Sequence, residues 1–203
     1  MILMQYNGGM QTKLTIKDIA AVIAGYTFRT AIQNDDKGLI PVVQAKDILG
    51  NNQVNSLNLP RVTIQNVRST SFLEENDVLL SCRGVFRAGV ATDRLNNAMA
   101  SASLYILRIY NDQRDKILPG YLSIYLNSNS GQKLIQQILS GTIIRTILRR
   151  ELENLPLIIP SIQKQRQIIE IYNNWKRREI LLNRKLTLNK TIANGIINYL
   201  LTK

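Results

Sequence analysis

The chain has 203 residues, 45% of them apolar, which is enough for one large domain, or one domain plus an extension, with a sizeable core. Lysine and arginine number 26 against 14 aspartate and glutamate, and the net charge of +12 favours an anionic partner, nucleic acid before a membrane surface. No histidine and one cysteine, Cys82, exclude Ser-His-Asp and Cys-His nucleophiles, an intrachain disulfide, cysteine-cluster metal sites and most zinc or non-haem iron sites.

Residues 1–11 read as a loose lead-in around Gly8-Gly9, lacking the basic and apolar regions of a signal peptide. No run of 18 apolar residues occurs, so no membrane span is expected, and the expected location is the cytoplasm. Thr15 to Ala20 starts a short helix that Gly25 ends. Leu39–Gln44 reads as a strand, and Pro41 near its start places it at a sheet edge. Asp77–Cys82 is a buried strand with Cys82 as a small strand residue. Gly89–Thr92 and Ser103–Ile109 are further strands, the second with period-two alternation. Pro119-Gly120 precede a helix over 121–126, and Gln132–Leu139 is another. Leu155–Pro160 is an extended, proline-framed segment.

Composition changes at Pro160. Residues 1–160 hold 17 basic and 12 acidic side chains, whereas residues 161–203 hold 9 and 2. All five prolines lie in the first part, and Gly195 is the one glycine of the second. The division expected is therefore a mixed α/β globular domain, α+β in class, over 1–160 and a long amphipathic helix over 161–203. Ser161 is a fair N-cap. Ile168, Tyr172, Trp175, Leu182, Leu186, Ala193, Ile196 and Leu200 recur at helical spacing, with Glu179 and Asn189 in the gaps. A helix of about 40 residues is about 60 Å long, more than a small domain can cover, so its apolar stripe calls for a second helix of coiled-coil type. A broken hairpin folding back on the domain is the other reading.

No catalytic constellation is present: there is no phosphate loop, no dinucleotide fingerprint and no proline-proline-aromatic motif of an amino-methyltransferase. Asp35-Asp36 and Glu74-Glu75 read as solvated turn charges. The informative loops are basic and contain glycine. Gly25-Tyr26-Thr27-Phe28-Arg29 is one; Arg83-Gly84-Val85-Phe86-Arg87 follows the buried strand; Gln44 and Lys46 follow the first strand; Gly141-Thr142-Ile143-Ile144-Arg145 is the last, with Arg149 and Arg150 behind it. Arginine grips phosphate or bridges O6 and N7 of guanine, and glycines let backbone amides approach phosphate. Arg29, Gln44, Lys46, Arg83, Arg87, Thr142 and Arg145 are thus the candidate DNA-binding residues; each arginine taken singly is more often a surface charge or an ion-pair partner, and clustering on loops that leave strands is the reason to prefer binding. Candidate catalytic and metal-ligating residues are absent.

The ordered series resembles the target-recognition domain of DNA-specificity (S) subunits of type I restriction–modification enzymes. It runs through Leu14-x-x-Lys17-Asp18-Ile19-Ala20 with Gly25–Arg29, Ile40–Gln44 with Lys46–Ile48, and Asp77–Ser81 with Arg83-Gly84. It continues with Gly120–Leu122, Tyr125–Ser128, Gly141-Thr142 and Leu152-x-Asn154–Pro160, leading into Ile162-x-x-Gln165-x-x-Ile168. The resemblance covers about Leu14 to the C-terminus. It departs in length: such subunits carry two recognition domains and two helices, so this chain looks half-sized. The resemblance implies sequence-specific binding of double-stranded DNA and no catalytic centre here. S-adenosylmethionine would belong to a partner methyltransferase (modification) subunit, and ATP with magnesium to a restriction subunit where one exists. With the uncovered apolar stripe, this half of a two-fold plan leads to a homodimer through the helix, with Ile168, Tyr172, Trp175, Leu182, Leu186, Ile196 and Leu200 at the dimer or partner interface; the alternative is a heterodimer with a second, different half-subunit. A basic nucleic-acid-binding protein without sequence preference, and a structural adapter acting through the helix, are the competing readings.

Overall fold

A computed structural model describes residues 3–4, 11–64, 72–141, 143 and 145–202. In chain order the elements are β1 (Leu3–Met4), β2 (Gln11–Thr15), α1 (Ile16–Ile19), β3 (Ala20–Ala24), β4 (Ile40–Val43), β5 (Arg61–Val62), β6 (Val78–Ser81) and β7 (Ala88–Val90). They continue as β8 (Met99–Ala100), β9 (Leu104–Ile109), α2 (Pro119–Asn127), α3 (Asn129–Gln137), β10 (Leu139–Ser140), β11 (Thr146–Ile147), α4 (Arg149–Glu153), β12 (Pro156–Ile159) and α5 (Ile162–Leu201). The class is α+β, with a long C-terminal helix. Two compact units divide the chain, Met1–Arg166 and Gln167–Lys203.

The centre of the first unit is an antiparallel sheet in the order β3-β9-β6-β7. Val78, Leu79, Leu80, Leu104, Ile106 and Leu107 are fully buried in it. β6 is buried at every position because it is an inner strand, and a strand covered on both faces reads as a continuous apolar run. A second sheet, β5-β4-β8, packs Val43 and Ala100 into the same core with Ile48, Leu73, Ala91 and Leu95. The third sheet, β1-β2-β12, pairs Leu14 with Leu157 and Thr15 with Pro156.

Several expectations are corrected. The helix at Thr15 does not reach Gly25: it stops at Ile19, and Ala20–Ala24 is β3, paired with β9. Every residue of Ala20–Ala24 is apolar, so its pleat left no alternation to read. The helix itself is held by Thr15, whose N–H and hydroxyl both donate to Asp18 Oδ2, at 2.7 and 2.6 Å. The lead-in is not wholly loose, since β1 pairs with β2. β4 is not an edge strand but the middle of its sheet. Pro41 is tolerated because Val42 N–H points towards β5, onto Pro60 O. The proline nitrogen therefore faces β8, where pairing starts only at Val42. The helix expected over 132–139 starts instead at Asn129, capped by Ser128, whose Oγ accepts Gly131 N–H, and Leu139 lies in β10. Glu74 is not simply solvated: it pairs with Arg108. Cys82 lies just beyond β6, buried, with its thiol on Ala102 O.

The helix α5 is continuous over 40 residues. Its first turn belongs to the globular unit through Gln165, which is fully buried. Gln165 Nε2 donates to Lys116 O at 2.7 Å and Pro160 O at 2.8 Å, and Oε1 accepts Leu118 N–H at 2.9 Å. In the second unit Trp175, Leu182, Leu186, Ile196 and Leu200 are exposed, while Ile168 and Tyr172 are half-buried. Among the described residues no helix is long and apolar enough to cross a membrane.

Candidate functional site

Strand directions sort the loops to two ends of the central sheet. β3 ends at Ala24 opposite Tyr105, and β6 ends at Ser81 opposite Leu104. The segments that leave or enter at this end are 25–29, 82–87 and 101–103. At the other end lie Asp18, Glu74, Glu75, Asp77, Asp93, Asp112 and Asp115, interspersed with Lys17, Arg94, Arg114 and Lys116. Acidic side chains are thus drawn to one end and loops without them to the other.

The turn Ser101–Ser103 ties the loops of the basic end together. Tyr26 N–H donates to Ala100 O at 2.7 Å and Gly25 N–H to Leu104 O at 3.0 Å. Ser101 N–H donates to Val43 O at 2.8 Å, and Ala45 N–H to Ser103 Oγ at 3.3 Å. Cys82 N–H donates to Ser103 O at 2.9 Å. On its other side Cys82 O accepts Ile147 N–H at 3.0 Å, and Arg83 bridges to Thr146. Four loops distant in sequence are therefore fixed within one or two hydrogen bonds of a single turn. Gly25 permits this approach: a Cβ there would lie 2.0 Å from Ser101 O.

Arg29, Lys46, Arg83, Arg87 and Arg145 are all exposed on these loops, and Gln44 is half-buried. Gln44 N–H donates to Asp47 Oδ2, which holds the one-turn helix that carries Lys46. Arg145 donates to Gln136 Oε1 at 3.2 Å. Among the described residues the ion pairs belong to Arg108, Arg149 and Lys176, so none of the five loop cations is neutralised by a carboxylate. Arg149 is accordingly set apart from the cluster by Glu153, 2.8 Å away. Thr142 lies outside the described residues. Clustered cations repel one another, and an anion laid across them relieves that repulsion.

The loop backbone is braced rather than free. Ser81 Oγ donates to Arg83 O, and Gln132 Nε2 donates to Phe86 O at 2.9 Å. Asn127 receives Ala88 N–H on Oδ1 and donates to Ala88 O, covering the edge of β7 as a neighbouring strand would. Tyr105 Oη donates to Ile147 O at 3.0 Å. Burial pushes the Tyr105 hydroxyl and the Cys82 thiol above their ordinary values. Sequence reasoning missed Ser101, Ser103, Asn127 and Gln132 as organisers of this edge, and also the edge-to-face pair Tyr26–Phe28, 4.9 Å apart. A Ser-Ala-Ser stretch before a strand carries no periodic signal, and only the aromatic spacing was open to reading. Among the described residues no three metal-ligating side chains gather.

The family model for the type I restriction modification DNA specificity domain matches residues 9–192. The chain belongs to this family. Its fold as a specificity domain is similar to the S subunit from M. genitalium, at TM-score 0.57 and 17% identity over 87% of this chain and 41% of that one. It is similar to the HsdS subunit from Thermoanaerobacter tengcongensis at TM-score 0.62 and 18% identity, over 89% and 41%. A chain from a type I R-M system, solved to explain complex assembly and conformational transition, gives TM-score 0.64 and 18% identity over 86% and 40%. The specificity domain thus spans about two-fifths of the length of these solved chains. No curated protein matches the chain.

Proposed function

We propose that this chain gives a type I restriction–modification complex its sequence-specific grip on double-stranded DNA. The observation that carries this reading is the convergence of Arg29, Lys46, Arg83, Arg87 and Arg145, without a carboxylate partner, on loops bound to the Ser101–Ser103 turn. Phosphate contacts from such side chains fix register, and base contacts from one or two of them set sequence. Gln44 suits adenine, whose N6 and N7 match a side-chain amide, and Thr142 is retained as a candidate from the sequence. The chain's own part is binding. Methyl transfer from S-adenosylmethionine is the work of a modification subunit, and cleavage with ATP and magnesium that of a restriction subunit.

The exposed apolar positions of α5, including Trp175, Leu182, Leu186, Ile196 and Leu200, support pairing with another helix. We assign that partner first to a second copy, antiparallel, which places a recognition domain at each end and reads an interrupted palindrome. The modification subunit docks on the same helices. A solved relative is described in terms of the complex assembly of a type I R-M system, which supports a role within such a complex.

Titration of wild type and of the triple variant Arg83→Ala, Arg87→Ala, Arg145→Ala against the host's methylated site and a scrambled duplex tests the DNA reading. Each lost phosphate contact lowers the salt slope by about one, and a lost bidentate base contact costs about 1–3 kcal/mol of discrimination. Unchanged affinity, slope and discrimination in the triple variant contradict it.

A further inference from the structure

Two exposed aliphatic side chains stand among the loop cations, and phosphate binding gives them nothing to do. Val85 is 64% exposed and Ile143 is 94% exposed. Both sit on hairpin loops, Val85 between β6 and β7 and Ile143 between β10 and β11. The bridge between Arg83 and Thr146 is antiparallel. The two hairpins that carry Val85 and Ile143 are therefore joined at that bridge. Arg83, Arg87 and Arg145 flank the two exposed apolar residues in sequence.

Val85 is not a side chain stranded on a slack loop. Its neighbour Phe86 is buried, with its carbonyl held by Gln132, and Arg83 O is held by Ser81 Oγ. Gly84 takes φ +74°, which turns the chain just before the apex. The loop is fixed, and Val85 is what it presents. No acidic residue occurs from 78 to 92 or from 116 to 150, so the charge around both apices suits DNA rather than a basic protein surface. An aliphatic group gains nothing against phosphate, but it does against a base, above all the 5-methyl of thymine in the major groove.

We propose that Val85 and Ile143 are specificity-determining tips that read thymine methyl groups by apolar contact while the neighbouring arginines hold phosphate. This rests on the DNA-binding reading above. The full chain is used to enrich duplexes from a random pool, with Val85→Ser and Ile143→Ser as variants that remove the side-chain methyl groups at exposed positions. The enriched duplex is then remade with deoxyuridine for thymine, which removes only the methyl group. Wild type should lose affinity on that replacement, by about tenfold at a contacted position, in line with the cost of one mismatched pair. At least one variant should lose that sensitivity and its thymine preference while keeping the wild-type salt slope. If both variants enrich the wild-type motif and respond to deoxyuridine as wild type does, the tips do not read bases. The same result with loss of co-purifying modification subunit makes them a protein contact and equally overturns the proposal. A wild type that enriches no motif fails at the earlier step, since sequence-specific binding itself is then absent.

Discussion

Arg87 and Arg108 show how one residue type is put to two uses by its surroundings. Arg108 lies on β9 and donates to both oxygens of Asp77, a carboxylate with 2% of its side chain exposed, and to Phe72 O. Its guanidinium is held still more firmly protonated, chiefly by the Asp77 hydrogen bonds. Arg87, at the loop end, is exposed and faces no carboxylate among the described residues. Arg108→Ala strands the buried Asp77 and should cost about 3 kcal/mol in urea unfolding, whereas Arg87→Ala should fall within about 0.5 kcal/mol. DNA affinity per folded molecule should show the reverse order. A second residue-scale outcome concerns alkaline pH. Burial pushes the Tyr121 hydroxyl above its ordinary value, and it donates to Ile158 O at 2.6 Å. A raised value means that stability is complete below the unfolded tyrosine value of about 10 and declines as pH rises beyond it. Tyr105 and Tyr125 are raised in the same direction by burial. Tyr121→Phe should therefore remove part, not all, of the alkaline loss in thermal unfolding, at a cost near pH 7 of about 1 kcal/mol for the hydrogen bond.

At the scale of elements, α5 carries the outcome most easily measured. Its middle and end expose leucine and isoleucine at helical spacing. Lys176 is occupied locally, 2.7 Å from Glu179 and 4.2 Å from the Trp175 ring centroid. Light scattering at micromolar concentration should give twice the 23.0 kDa chain mass for wild type, and the single-chain mass for Leu182→Asp with Leu186→Asp. A wild type at the single-chain mass argues against self-pairing. The same helix shows what sequence makes legible. Forty residues without proline and with one glycine, preceded by a proline-framed strand, announce themselves, and so do the apolar runs of β6 and β12. β3 was hidden because an all-apolar segment after a capped turn fits a helix as well as a strand. β4 was misplaced because the proline rule concerns which side its nitrogen faces, and only the pairing shows that. The basic loops were each visible. Their convergence was not, because the joining turn uses backbone groups and two serines, and hydrogen bonds between residues about 20 to 80 apart leave no pattern in the chain.

At the scale of the whole chain, charge is distributed by strand direction. Loops leaving one end of the central sheet carry the unneutralised cations, while the other end mixes Asp18, Glu74, Glu75, Asp77, Asp93, Asp112 and Asp115 with bases. A duplex steered by the net +12 meets the end poorer in carboxylates, where Asp47 is buried, with least repulsion. Strand direction produces this, since β3 and β6 end, and β7 and β9 begin, at the end that carries the cations. The central claim is that this end, and not the opposite one, is where DNA lies. It is tested most directly by photo-cross-linking the full chain to a duplex carrying 5-iodouracil in its recognised site, followed by mapping of the linked peptides. The account predicts cross-links within 25–29, 44–46, 82–87 and 141–147. Cross-links confined to 74–77 and 111–116, with those four segments unlabelled, would contradict it.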